Sequence, residues 1–346
     1  MRKIILLLII LGCLTGTGYA MDFTAPSAPE SAQAYMPDDI QSFGEGLWQV
    51  IKSAISKLQP SLTEAAGICF SLILIVLTVS ILRNLSASST YTADLIASIT
   101  IAVILVQPAN SLIRLGVDTV DEISEYGKLL LPVMTAAMAA SGGTTGSAAL
   151  YTGTVFFDSV LSSAISKLLI PLIYVYIILC IGCSAIGEQM LKNLRSFAKW
   201  LMTWCLKIII YVFTGYIGVT GVISGSADAS ALKATKLTIS GIVPVVGNII
   251  SDASEAILVS AGVMKNAVGI YGLLAILAMW IGPFLQIGCQ YLLLKATTAV
   301  TGVFGGNETV GLIKDFSWIM GFVLAMTGTV CLLLLISIVC FLKGVG

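Results

Sequence analysis

The chain has 346 residues, of which 57% are hydrophobic and only 10% charged, against about a quarter charged in an ordinary soluble domain. With a mean hydropathy of +1.00, that census excludes a polar-coated globule and points to one membrane-embedded unit. Net charge is formally zero and histidine is absent. The first argues against nucleic-acid binding; the second removes the commonest general base, metal ligand and near-neutral proton shuttle.

At the amino terminus, Arg2 and Lys3 lead into the apolar run Ile4–Leu14, followed by a small-x-small pattern at Gly18 and Ala20. This reads as a signal peptide over residues 1–20, since the run is shorter than the ~20 residues a span needs. Gly12-Cys13 is a lipoprotein-type alternative that Leu11 fits poorly. Residues 21–60 are then expected outside the cytoplasm. Met21–Pro37, rich in Ala, Ser and Pro, reads as a flexible tail. Ile40, Phe43, Leu47, Ile51, Ile55 and Leu58 recur at helical spacing and predict an amphipathic helix. Two readings stand side by side: the helix lies on the outer membrane surface with Trp48 at the headgroups, or it docks on the protein's own bundle.

Residues 61–346 read as an all-α, polytopic transmembrane helical bundle of roughly 6–10 membrane segments. Ala65–Leu82, Leu168–Gly187, Trp200–Val222 and Phe316–Phe341 are strong spans; Val268–Leu294 is long enough to tilt or kink at Pro283. Leu95–Ile113 is weaker, because Gln107, Pro108 and Asn110 interrupt it. Two apolar regions are broken, Leu129–Lys167 by Ser141–Ser147 and Leu237–Lys265 by Asp252 and Glu255. Each reads as a pair of spans or a re-entrant hairpin, so neither changes the orientation beyond it. An outside start then places Arg83, Lys192, Arg195 and Lys199 in the cytoplasm, as the positive-inside rule asks. It places Asp118, Asp121, Glu122 and Glu125, and the carboxyl end, outside.

Pro132 and Pro171 are 39 residues apart, as are Pro244 and Pro283, and Phe197–Met202 echoes Phe316–Met320. This suggests parallel repeats over about 127–222 and 240–338; coincidence in a low-complexity apolar chain is the competing explanation.

Nothing in the chain spells an enzyme. There is no phosphate loop, H-E-x-x-H, nucleophile elbow or Cys/His cluster, so no catalytic residue, metal or cofactor is expected. The eight cysteines lie in or beside apolar runs and read as packing residues; Cys180-x-x-Cys183 is a redox motif only in spelling. The residues out of place in lipid are Asp158, Lys207, Asp252 and Glu255, each costly unless paired or wetted. Together with Ser141, Gly142, Gly143, Thr144 and Thr145 they are candidates for a polar path. The alternatives are structural ion pairing of the acids, snorkelling of Lys207, and an ordinary turn or small-residue contact at 141–147. Lys192, Arg195 and Lys199, spaced by three and four, form one helix face: a topology determinant, or a dock for a cytoplasmic motor.

Leu131-Pro132-Val133-Met134 with Ala139–Gly143, and Gly241–Gly247 with Ser251-Asp252-Ala253 and Lys265–Gly269, resemble the multi-pass stage III sporulation protein AE family over about residues 60–343. The resemblance implies a subunit of the complex joining mother cell and engulfed forespore, in the mother-cell membrane facing the forespore. It implies ring-forming membrane partners and a separate cytoplasmic ATPase. The function expected is a permease-like or channel-forming core. A non-conducting scaffold for that complex and an independent ion-coupled secondary transporter are the rivals.

Overall fold

A computed structural model describes the backbone of residues 24–37, 43–85, 90–140, 144–242 and 247–343. Side chains are described for 24–37, 43–83, 92–140, 148–216 and 266–342. The predicted signal peptide lies outside the described residues, as does Ile40 of the amphipathic stripe.

Among the described residues, every element is helical: α1 (Glu30–Gln33), α2 (Phe43–Ser56), α3 (Gln59–Leu85), α4 (Thr90–Ala140), α5 (Thr144–Ala164), a π turn (Ile165–Leu169), α6 (Ile170–Ile186), α7 (Gln189–Ile242), α8 (Gly247–Thr301) and α9 (Asn307–Lys343). Among the described residues, six helical runs are long and apolar enough to cross a membrane: α3, α4, α5 through α6, α7, α8 and α9. The chain is a multi-pass all-α membrane bundle. Its centre is α9 with α8, which bury 61% and 56% of their most apolar stretch, against 22% for α3 and 28% for α7.

The helices outrun the spans that hydropathy marks. α4 is 51 residues, about 76 Å at helical rise, whereas a bilayer with its headgroups is about 40–45 Å thick. It runs through both Pro108 and Pro132, which neighbouring helices make tolerable in a membrane. The expected break at Leu129–Lys167 is therefore no separate insert: the end of α4 and the start of α5 form the tip of one long hairpin. Pro171, a helix breaker by its missing N–H, is absorbed by the π turn, where the Ile170 N–H reaches back five residues to the Ile165 carbonyl. α6 stops at Gly187, whose φ of +76° and N–H to the Cys183 carbonyl (3.0 Å) make a left-handed cap.

Contacts sort the helix ends. Arg83 at the end of α3 pairs with Asp94 at the start of α4 at 3.4 Å. The Ser98 and Ser184 hydroxyls are hydrogen bonded at 2.7 Å, and Ser184 donates to the Glu308 carbonyl at 3.0 Å. The ends of α3 and α6 and the starts of α4, α7 and α9 thus meet at one face of the bundle, the one with the basic residues. Reporter fusions at Arg195 are expected to read cytoplasmic, and those at Glu122 and the carboxyl end extracytoplasmic. An outside signal at residue 195 would reverse the ordering.

Residues 24–37 behave differently from the flexible tail their composition suggests. The Tyr126 hydroxyl donates to the Pro26 carbonyl at 3.3 Å, the Ala28 N–H donates to Tyr271 Oη at 3.2 Å and Ser31 donates to Glu122 at 2.6 Å. Ala28 and Ala32 are buried. Small residues that resemble linker are also what lets a strap lie close against helices. α2 follows and packs on α8, through Gly46, Val50 and Ala54; a Cβ on Gly46 would stand 2.6 Å from Leu274. The docked edge is the small-residue one. Of the amphipathic stripe, Leu47 and Ile51 are half-buried and Ile55 is 58% exposed; Trp48, outside the stripe, is 67% exposed, so docking and facing lipid are compatible on one helix.

Candidate functional site

The basic stripe at the start of α7 meets the start of α9. Lys192 Nζ lies 2.8 Å from Glu308, and Arg195 Nη1 lies 2.7 Å from Asp315 Oδ2. The Tyr176 hydroxyl donates to Asp315 Oδ1 at 3.0 Å, so both oxygens of this buried carboxylate are engaged. Lys199 Nζ sits 4.7 Å over the Trp318 ring, and Trp318 lies against Tyr176 at 4.9 Å between centroids. Residues 192, 195 and 199 meet 308, 315 and 318 in the same order, so α7 and α9 start side by side and run parallel. The assembly is a charge clamp on α6, α7 and α9. Sequence reasoning picked the cations and missed Glu308 and Asp315. Their seven-residue spacing, two helical turns on one face, was the available signal. Cys180 and Cys183, beside this clamp on α6, are buried free thiols.

Asp158 is placed on the buried face of α5, 4% exposed. Ser124 of α4 donates to its Oδ1 at 3.1 Å, and Lys128, one turn on, acts on its charge. One turn back along α5, the buried Thr154 donates to the buried Ser337 of α9 at 2.9 Å. These groups make a polar seam where α4, α5 and α9 meet. Ser124 lies between Glu122 and Tyr126, which hold the amino-terminal strap. Asp158 is therefore at the depth of the strap.

A second polar feature escaped the sequence. A cavity of about 210 Å³ between α3, α4 and α8 is lined by Ser61, Glu64, Ser111, Gln286 and Gln290, beside Pro108. Gln290 is 4% exposed and its amide has no protein partner among the described residues. Pro108 has no N–H, so the Ile104 carbonyl one turn back lacks its helical donor. Polar side chains, a carbonyl without its usual helical donor and this much room suit ordered water. Only the interruption at Gln107-Pro108-Asn110 hinted at it, and Asn110 itself is taken, accepting from the Tyr174 hydroxyl at 2.7 Å.

Lys207 goes elsewhere, to a groove of about 700 Å³ between α7, α8 and α9; it is not brought to Asp158. Ser141, Gly142 and Gly143 lie outside the described residues. Thr144 and Thr145 open α5, and Asp252 and Glu255 fall in α8, but the side chains of all four lie outside the described set.

A family model described as stage III sporulation protein AE matches residues 33–344. The stage III sporulation protein AE of Bacillus subtilis (strain 168) is 23% identical over 318 residues, 90% of this chain and 79% of that relative. No solved structure matches the chain.

Proposed function

Because the chain belongs to the stage III sporulation protein AE family, and so has its role in sporulation, we propose that it is a permease-like or channel-forming membrane subunit of the complex linking mother cell and forespore. The observation that supports this reading most is the polar cavity of Ser61, Glu64, Ser111, Gln286 and Gln290. A bundle that only anchors partners has no need to keep an unengaged Gln290 amide and a proline within a helix next to a polar cavity, since unpaired polar groups cost stability. The Asp158 seam adds a second buried polar contact between helices. In this reading the subunit sits in the mother-cell membrane. A separate cytoplasmic ATPase supplies energy, ring-forming membrane proteins extend the path, and the α7 start carrying Lys192, Arg195 and Lys199 is the face nearest a cytoplasmic partner. The continuous apolar packing of Phe316, Ile319, Met320, Val323 and Met326 favours the second reading, a non-conducting scaffold.

The test is a Glu64→Gln, Gln290→Leu double variant in sporulating cells. Membrane abundance is expected to hold near wild type, because one change removes only a charge and the other an amide, and neither group has a protein partner among the described residues. Sporulation efficiency is expected to fall about tenfold or more. Normal sporulation at normal abundance would remove the permease reading and leave the scaffold.

A further inference from the structure

The groove between α7, α8 and α9 lies along the membrane-crossing part of all three helices. Trp280, Phe284, Tyr291, Trp318 and Phe322 form its walls, and Gly321, Ala325 and Gly328 leave room along α9. A Cβ on Gly328 would still stand 3.7 Å from Trp280. The groove continues into a narrower apolar cleft lined by Ile209, Phe213, Leu333 and Ile336, and shares Ile210, Thr329 and Leu332 with it. From Trp318 to Ile336 the track follows α9 for about 27 Å, more than the about 15 Å that one leaflet contributes to the hydrocarbon core.

One end of the track is cationic. Lys199 Nζ sits 4.7 Å over Trp318. Lys295 Nζ is 2.9 Å from Tyr291 Oη and 5.2 Å over that ring. Lys207 lines the groove itself, exposed, and has no protein partner among the described residues. Among the described residues, no acidic residue lines the groove. The nearby Asp315 has both oxygens occupied, by Arg195 and Tyr176. Trp200 and Trp204, 53% and 45% exposed, mark headgroup depth on α7 just before Lys207, and a lysine one turn deeper snorkels back to that level. A long apolar track with three cations and no acid at one end has the charge and shape of an anionic amphiphile.

We propose that this groove binds an anionic phospholipid, with its phosphate at Lys199, Lys207 and Lys295 and an acyl chain along the α7–α9 cleft. A zwitterionic choline lipid brings a cation of its own to the three lysines and is disfavoured. The bound lipid fills the space between α7 and the α8–α9 pair and ties the outer helix to the central ones. This holds whether or not the subunit conducts.

The experiment uses the full chain in nanodiscs of equimolar phosphatidylglycerol and phosphatidylcholine, with retained lipids counted by native mass spectrometry. Wild type is expected to retain phosphatidylglycerol over phosphatidylcholine by about fivefold or more. Lys207→Gln is expected to bring that ratio below about twofold. Ala325→Phe, which blocks the track, is expected to lower retention of both lipids, while Lys314→Gln, off the groove, leaves the wild-type ratio. Gel filtration and thermal melting establish which variants are folded; should Ala325→Phe fail there, Lys207→Gln decides alone. Equal retention of the two lipids by wild type, or undiminished preference in Lys207→Gln, overturns the proposal.

Discussion

Asp315→Asn is expected to destabilise the bundle by about 3 kcal/mol, because removing one partner of a buried ion pair strands the other. Here Arg195 loses its carboxylate, and the Tyr176 hydroxyl loses a charged acceptor in the same step. The measurement is thermal unfolding followed by a thiol-reactive dye. Cys180 and Cys183 are buried free thiols in the helix that carries Tyr176, so the dye reaches them on opening. The double change Arg195→Met with Asp315→Leu is expected to recover much of the loss, since apolar residues of similar volume often replace a buried pair without penalty. Unchanged melting of Asp315→Asn would mean that solvent screens this pair and that the clamp contributes nothing to stability. The same contacts bear on docking of a cytoplasmic partner. A triple change of Lys192, Arg195 and Lys199 to Gln leaves Glu308 and Asp315 without their cations. Lost partner recovery therefore reports on docking only where the folded level is maintained.

Asp158→Asn is expected to reduce sporulation about tenfold or more while protein level stays near wild type. The amide keeps the shape of the carboxylate, and its carbonyl still accepts from Ser124, so the packing between α4 and α5 has little to lose. What changes is the charge, buried on α5 and answered by one hydroxyl and the nearby Lys128. A purely structural Asp158 predicts the other pattern, with abundance and sporulation falling together, because a broken buried interaction lowers the folded population first. Abundance by immunoblot and spore counts from the same cultures separate the two. Normal sporulation would leave Asp158 as packing and withdraw the seam from any polar path.

The sequence determined the class, the helical character and several boundaries of this protein. Apolar runs are a local property, so the expected span Leu168–Gly187 ends where Gly187 caps α6. Arg83 closes the first span and Lys192, Arg195 and Lys199 cluster at the start of α7 for the same reason: charge and hydropathy act within a few turns. Family membership was legible in scattered motifs around Pro132 and Pro244. Tertiary structure decided the rest. Gln107, Pro108 and Asn110 read as an interruption of their span, but α4 passes through Pro108 and Pro132 alike, since neighbouring helices rather than local propensity set the cost of a missing N–H. Small residues are equally ambiguous. Ala28 and Ala32 in a linker-like stretch, and Gly46 and Ala54 away from the large apolar stripe, become contact residues only when a helix surface lies opposite them. The polar sites were least legible. Gln290 of α8 and Glu64 of α3 line one cavity, and Asp315 meets Arg195 across 120 positions of chain. A polar residue in a span states that it needs a partner; which residue answers it depends on how the helices pack, and that no local pattern encodes.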